Sequence, residues 1–276
     1  MSPDLIECQL EKYPEGAARG ETWDEAIPLH LSCLANTGPR VLKLLMETYP
    51  DGLRVAKGHN YGGIPLHWCR YNAHLGLDAF RLIVEAYPQG MDDTQDLCGE
   101  TAFNFYSRRL GDDFQQNNPH EESYPAESAR DRFRVMVDVL SQEKGINPLQ
   151  IAMERDYMNA VHFVLQEYER EIEQAIKDGW CPLRWAIQCG CDHATVKVVL
   201  DQFPNSVCSR DNSGEIPLSY ALRKVFNHVV VELLLNQDPE SIRSRDNAGC
   251  APLITFCVIR PRLHACLLYT SDAADE

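Results

Sequence analysis

The chain has 276 residues, with 41 acidic against 26 basic side chains, a formal net charge of −15 and a hydrophobic content of 44%. That balance argues against a general nucleic-acid or anionic-membrane binder, because such proteins lean on basic surface to displace counterions. No run of about 18 apolar residues is present, so no transmembrane helix is expected, and no signal peptide begins at Met1.

In chain order, Asp4 to Tyr13 comes first. It reads either as a capping helix or as the remainder of a repeat whose beginning is missing, because the pair Tyr13-Pro14 matches a landmark that returns further on. Next come anchors of proline–leucine type at Pro28, Pro65, Ala102, Pro148, Pro182, Pro217 and Pro252, in steps of 37, 37, 46, 34, 35 and 35 residues. Six have a glycine three residues earlier: Gly62, Gly99, Gly145, Gly179, Gly214 and Gly249. The first has Glu25 instead. The second landmark is a residue followed by proline at Tyr49-Pro50, Tyr87-Pro88, Phe203-Pro204 and Asp238-Pro239, 22 or 23 residues after its anchor. Two landmarks moving in one register mark an internal repeat.

Local physics builds each unit. Glycine supplies a turn of positive φ, and proline suits the first turn of a helix, where its missing N–H had no partner to lose. A short helix follows, as at Pro65 to Cys69. A second helix then carries an apolar stripe at three-and-four spacing, such as Val41, Leu44, Leu45 and Tyr49, or Val230, Leu233 and Leu234. The residue before the later proline is pushed out of helical conformation, so Tyr49, Tyr87 and Phe203 are expected to end their helices. Two returns, Ser209 to Gly214 and Ser244 to Gly249, are nearly identical and rich in turn residues.

The 46-residue step contains an insertion near Asp112 to Ser128, polar and acidic, with Pro119 and Pro125. It reads as a solvated loop between two helices, with a binding loop as the sharper alternative. Phe133, Met136, Val137 and Leu140 then restore the stripe. The run Glu167, Glu169, Glu171 and Glu173 is placed in or after the second helix of the fourth repeat, as a solvated face. At the far end, Cys266 to Glu276 resembles the translation of a sequencing-library adapter and is excluded as a non-native tail. The native chain is expected to continue beyond about Ala265, leaving the Val230 to Leu235 helix face uncovered and the protein a monomer apart from that exposed end.

The pattern of aspartate, glycine, a small residue, proline, leucine and histidine resembles the ankyrin repeat. It is densest at Gly62 to Cys69, Gly179 to Gly190 and Asp211 to Ala221, and extends from about Asp4 to about Arg260. The resemblance implies an all-α, ankyrin-type helical solenoid over residues 1–265. A tetratricopeptide-like solenoid is the fold alternative, disfavoured by the glycine before the anchor. The threonine that normally precedes the anchor is replaced by Ile27, Ile64, Asn147, Cys181, Ile216 and Ala251, and the histidine survives only as His30 and His67.

By that resemblance the array is a non-catalytic protein-binding module that needs no cofactor; the acidic charge argues against nucleic acid, and the scattered thiols, read as reduced, imply an intracellular protein of cytoplasm or nucleus. The alternative is the regulatory part of a longer enzyme or channel. Ankyrin arrays bind with turn tips and the ends of first helices. Carried over by register, these are Asn60, Tyr61, Tyr71 and Asn72, then Glu100, Arg108 and Arg109. Lys177, Asp178, Trp180 and Gln188 follow, and then Asn212, Ser213, Glu215, Arg223 and Lys224. Tyrosine, tryptophan and arginine dominate interface energetics, and the basic members point to a partner with an acidic surface. Cys189, Cys191 and His193 form a C-x-C-x-H cluster, but zinc sites need a further ligand pair, so structural thiols are the favoured reading. Cys69, Cys181, Cys250 and Cys257 fall at apolar or small positions and are expected to be buried and reduced. No nucleophile-elbow or phosphate-loop motif is present.

Overall fold

The computed structural model describes residues 3–20, 26–35, 37–56, 63–72, 74–92, 99–110, 126–155, 157–224, 228–252 and 254. Two compact units divide the chain, Met1–Pro148 and Leu149–Glu276. The described residues are all-α with short 3-10 turns and no strand.

In the first unit, α1 (Pro3–Lys12) lies along α3 (Pro39–Thr48), which pairs with α2 (Pro28–Ala35). The short α4 (Pro65–Trp68) and α5 (Leu77–Ala86) form the next pair, and α6 (Ala102–Arg108) with α7 (Ala126–Lys144) the third. First helices stack on first helices, α2 on α4, and second on second, α3 on α5 and α5 on α7. The stacking buries the faces that alternate with solvent along each helix. Val41, Leu42 and Leu45 are buried in α3, Phe80, Ile83 and Val84 in α5, and Phe133, Met136, Val137 and Leu140 in α7. Leu42, not the expected Leu44, completes the α3 stripe; Leu44 is half-buried.

In the second unit, α8 (Pro148–Glu154, its first residue closing the first unit) precedes α9 (Met158–Glu167). An additional helix α10 (Glu169–Lys177) comes before the pairs α11 (Pro182–Cys189) with α12 (His193–Gln202) and α13 (Pro217–Lys224) with α14 (His228–Gln237). Again α11 stacks on α13 and α12 on α14. Val230 and Leu234 of α14 are buried.

The two landmarks have the geometry the sequence predicts. Gly99, Gly145, Gly179, Gly214 and Gly249 all have φ between 64° and 93°, where a Cβ would be strained. Gly62 lies outside the described residues, and there Gly63 takes the left-handed turn at φ 79°. Tyr49, Tyr87 and Phe203 each leave helical conformation and close α3, α5 and α12, and the prolines that follow open 3-10 turns.

The fourth repeat departs from this plan. Tyr168 occupies the closing position, but Glu169 stands where the others have proline. Strong helix formers then carry the chain into α10 instead of a short 3-10 turn and return. The carboxylates Glu169, Glu171 and Glu173 therefore belong to a helix of their own and not to α9. The residues of the expected insertion lie outside the described residues, except for the backbone of 126–128, which opens α7.

Arg132 was not singled out by the pattern. It is 1% exposed, on the apolar stripe of α7 between Ala129 and Met136. Its Nη1 donates to the carbonyl of Cys69 at 2.8 Å, and its Nη2 donates to those of Asn72 at 2.8 Å and Leu75 at 2.9 Å. The guanidinium also lies 5.2 Å from the centre of the Phe80 ring. One side chain thus closes the irregular stretch after α4, whose carbonyls have left the helical ladder.

Candidate partner-binding surface

The ends of α6 and α13 are built from arginine, aromatic and glutamate side chains in one recurring arrangement. In the first unit, Glu100 receives Arg108 at 3.0 Å and Arg70 at 3.6 Å. Arg70 lies 4.6 Å from the centre of the Tyr71 ring and 5.3 Å from that of Phe105, while Arg109 covers Phe105 at 4.5 Å. Arg70 also donates to the Tyr71 hydroxyl. Tyr71 remains 43% exposed. In the second unit, Glu215 receives Arg223 at 2.9 Å, and Tyr220 lies under both Arg223 at 4.6 Å and Arg184 at 5.5 Å. The glutamate sits two residues before the anchor and the arginine six after it in both cases. Each pair therefore bridges the turn to the end of the helix it starts.

The turn before α13 is held by one carboxylate. Asp211 accepts at Oδ1 from the backbone N–H of Ser213 at 2.9 Å and of Glu215 at 2.8 Å, and from the Ser213 hydroxyl at 2.7 Å. Its Oδ2 accepts from the Tyr220 hydroxyl at 3.1 Å. Partial burial pushes the Asp211 carboxyl up, but these donors outweigh it and hold the group below the usual carboxylate range. Glu215 moves the other way: burial raises it, and Arg223 only partly opposes that. Burial and then the Asp211 hydrogen bond raise the Tyr220 phenol.

Asp246 repeats the device one repeat later, accepting from the N–H groups of Ala248 at 2.9 Å and Cys250 at 2.8 Å. The two turn tips are joined directly. The Asn247 N–H donates to the Ser213 carbonyl at 2.9 Å, its side-chain amide donates to the Asn212 carbonyl at 3.0 Å, and Arg210 donates to the Arg245 carbonyl at 2.7 Å. The near-identity of the two returns serves this stacking, since Arg210, Asn212 and Ser213 each meet the next return 34 or 35 positions on.

Several expected surface residues are placed differently. Asn72 is only 7% exposed, and its amide donates to the Cys33 carbonyl at 2.9 Å while its Oδ1 accepts from the His74 N–H at 3.0 Å. It fastens two neighbouring repeats and is not presented to a partner. Glu215 is likewise 7% exposed and committed to Arg223. Lys177 ends α10 rather than forming a turn tip, and Asp178 accepts from Gln174 at 3.1 Å. Trp180 is half-buried, and its indole N–H is buried without an acceptor among the described residues. Tyr71, Arg108, Gln188, Asn212 and Ser213 are exposed, and Arg109 is half-buried. Asn60, Tyr61 and the side chain of Lys224 lie outside the described residues. Arg70, Phe105 and Tyr220 were missed, although each lies on a first helix or the 3-10 turn that extends it, within reach of a named neighbour.

The remaining singled-out groups have packing roles. His30 and His67 are buried, and His30 meets Trp68 edge-on with ring centres 5.0 Å apart. Cys191 is buried, and its thiol donates to the Met153 carbonyl at 3.3 Å, whereas Cys189 is exposed. Asp192 caps α12 through the Thr195 N–H at 2.7 Å. The expected burial of thiols holds at Cys69 and Cys181, but Cys250 is only half-buried because it sits at the turn tip, and Cys257 lies outside the described residues. Cys181 takes the threonine's place as a helix cap, accepting from the Arg184 N–H at 3.5 Å, while Thr101 retains that role for α6.

Comparison with known families adds the decisive observation: residues 149–246 match the model described as ankyrin repeats, in three copies. Residues 149–246 are ankyrin repeats. Ankyrin repeats are in general protein–protein interaction modules and typically not enzymes. The all-α stack of helix pairs agrees with that family, and the first unit has helix pairs, turns and closing residues of the same kind. No curated protein matches the chain. Among the described residues no helix is long and apolar enough to cross a membrane.

Proposed function

We propose that the chain is a non-catalytic adaptor that binds another protein through the turn tips and first-helix ends of its ankyrin array. The observation that carries this is the repeated cluster of glutamate, arginine and an aromatic ring at those ends, above all exposed Tyr71 beside Arg70, which shares Glu100 with Arg108. Aromatic and arginine side chains held in one geometry by neighbours lose little entropy on binding and anchor interfaces. An acidic partner surface fits the arginines, but it must compete with Glu100 and Glu215, which already hold Arg108 and Arg223. The reading places the protein inside the cell, where its thiols stay reduced.

The experiment is cross-linking and affinity capture with the full chain, comparing wild type with a Tyr71→Ala and Arg108→Glu double variant and with Lys43→Glu on a second helix. A partner retained by Lys43→Glu and lost from the double variant supports this surface. A partner set unaffected by the double variant overturns it.

A further inference from the structure

The additional helix α10 forms one wall of a groove. Between the C-terminal end of α9, the length of α10 and the end of α12 lies an open groove of about 420 Å³. That is within the size range of sites that bury ligand side chains. Leu165, Ile172, Ile176 and Phe203 form its floor, with Glu169 and Glu173 along the rim and Lys177 at one end. Ile172 is buried, but Leu165, Ile176 and Phe203 are only half-buried. Glu169 and Glu173 are exposed. The groove belongs to second helices and α10, not to the first helices and turn tips.

We propose that this groove docks a short amphipathic helix of a partner protein, one whose apolar residues alternate with lysine or arginine. The apolar floor suits side chains spaced three and four residues apart, as in helix-in-groove recognition. The acidic rim selects the charge, since a row of carboxylates repels an acidic segment and attracts a basic one. A second copy of this chain is the poorer occupant. A two-fold contact would bring the same acidic rim against itself, in a protein that already carries a net charge of −15. The inference stands apart from the function proposed above, because it uses none of the same residues.

The test uses two fluorescein-labelled synthetic 14-residue peptides of one amphipathic helical pattern, one of leucine and lysine, the other of leucine and glutamate, read by anisotropy. The lysine peptide is expected to bind wild type and a control Glu47→Lys and Glu143→Lys variant of equal net charge. Its affinity should fall at least tenfold with Glu169→Lys and Glu173→Lys together, and with Ile176→Glu. The glutamate peptide should not bind. The two rim positions are exposed and leave the fold intact, so they carry the test even where Ile176→Glu lowers the melting temperature. Equal binding of the lysine peptide to the rim variant, or no binding to wild type, overturns the proposal. A dimer seen in sedimentation that the rim variant changes also overturns it and assigns the groove to a second copy.

Discussion

Replacing Arg132 by methionine keeps most of its buried stem volume and removes the guanidinium, which isolates the polar contribution. Three carbonyls lose a donor, but not equally. The Cys69 carbonyl still accepts from the Asn72 N–H at 3.3 Å, and the Asn72 carbonyl from the Leu75 N–H at 3.2 Å. The Leu75 carbonyl has only Arg132 among the hydrogen bonds described above. An orphaned buried acceptor costs about 1–3 kcal/mol, and each lost bond to a second lone pair about 0.5–1 kcal/mol. Relief of the desolvation penalty on a buried cation offsets part of this. The net expectation is a loss of roughly 2–4 kcal/mol, a large share of the 5–15 kcal/mol typical of a domain. Arg132→Lys should fall between, because one ammonium cannot span three carbonyls. Urea denaturation followed by circular dichroism gives the magnitude, and amide exchange across residues 69–75 gives the location. If Arg132→Met is within about 0.5 kcal/mol of wild type, or if exchange rises elsewhere but not at 69–75, the assignment of Arg132 as the fastener of that stretch is wrong.

Gly214→Ala should lower the melting temperature more than Gly190→Ala. Both glycines are left-handed, at about 1–2 kcal/mol for an added Cβ, but only at Gly214 would that atom meet Asn247, at 2.5 Å from Oδ1 and 2.9 Å from the backbone nitrogen. Asp211→Asn should remove stability that is present above the unfolded carboxyl value of about 3.9 and lost as pH falls through the lowered folded value; urea midpoints from pH 2 to 6 should rise less steeply in the variant. Glu215 carries the opposite sign, so Glu215→Gln is expected to be near neutral or slightly stabilising at pH 7, whereas Arg223→Ala leaves a buried carboxylate unpaired and should cost about 1–3 kcal/mol, both read from urea midpoints. Under native conditions a thiol reagent should label exposed Cys8 and Cys189 first and Cys208 more slowly, since burial and Asp238 raise its thiol; Cys33 and Cys69 should react only on unfolding, as peptide mass spectra would show.

Much of the architecture was legible because the geometry of a stacked helix-pair repeat writes itself into turn residues. Proline at the start of a helix, glycine three residues earlier and an aromatic before the second proline are local requirements, and they fix helix ends to within a residue or two. What escaped was decided between repeats. The burial of Asn72 depends on the Cys33 carbonyl 39 positions away, and Arg132 reaches back 57 to 63 positions. Arg132 left one trace, a charged residue on the apolar stripe of α7. The additional helix α10 also left a trace, in the absence of proline after Tyr168. Reading the acidic run as a solvated face hid it, because Ile172 and Ile176 lie four apart among those carboxylates.

The paired glutamates change what the surface can recognise. Unpaired arginines at helix ends would bind any acidic surface, with weak, salt-screened attraction. Once Arg223 lies 2.9 Å from a buried Glu215, its charge is largely spoken for, and the same holds for Arg108 beside Glu100. An acidic ligand gains little there unless it also covers the exposed aromatic edge beside the arginine, as at Tyr71. Discrimination then rests on shape and on the planar faces of tyrosine and guanidinium together, and less on net charge. A partner chosen this way would tolerate moderate salt, and its binding would depend more on Tyr71 than on any single arginine.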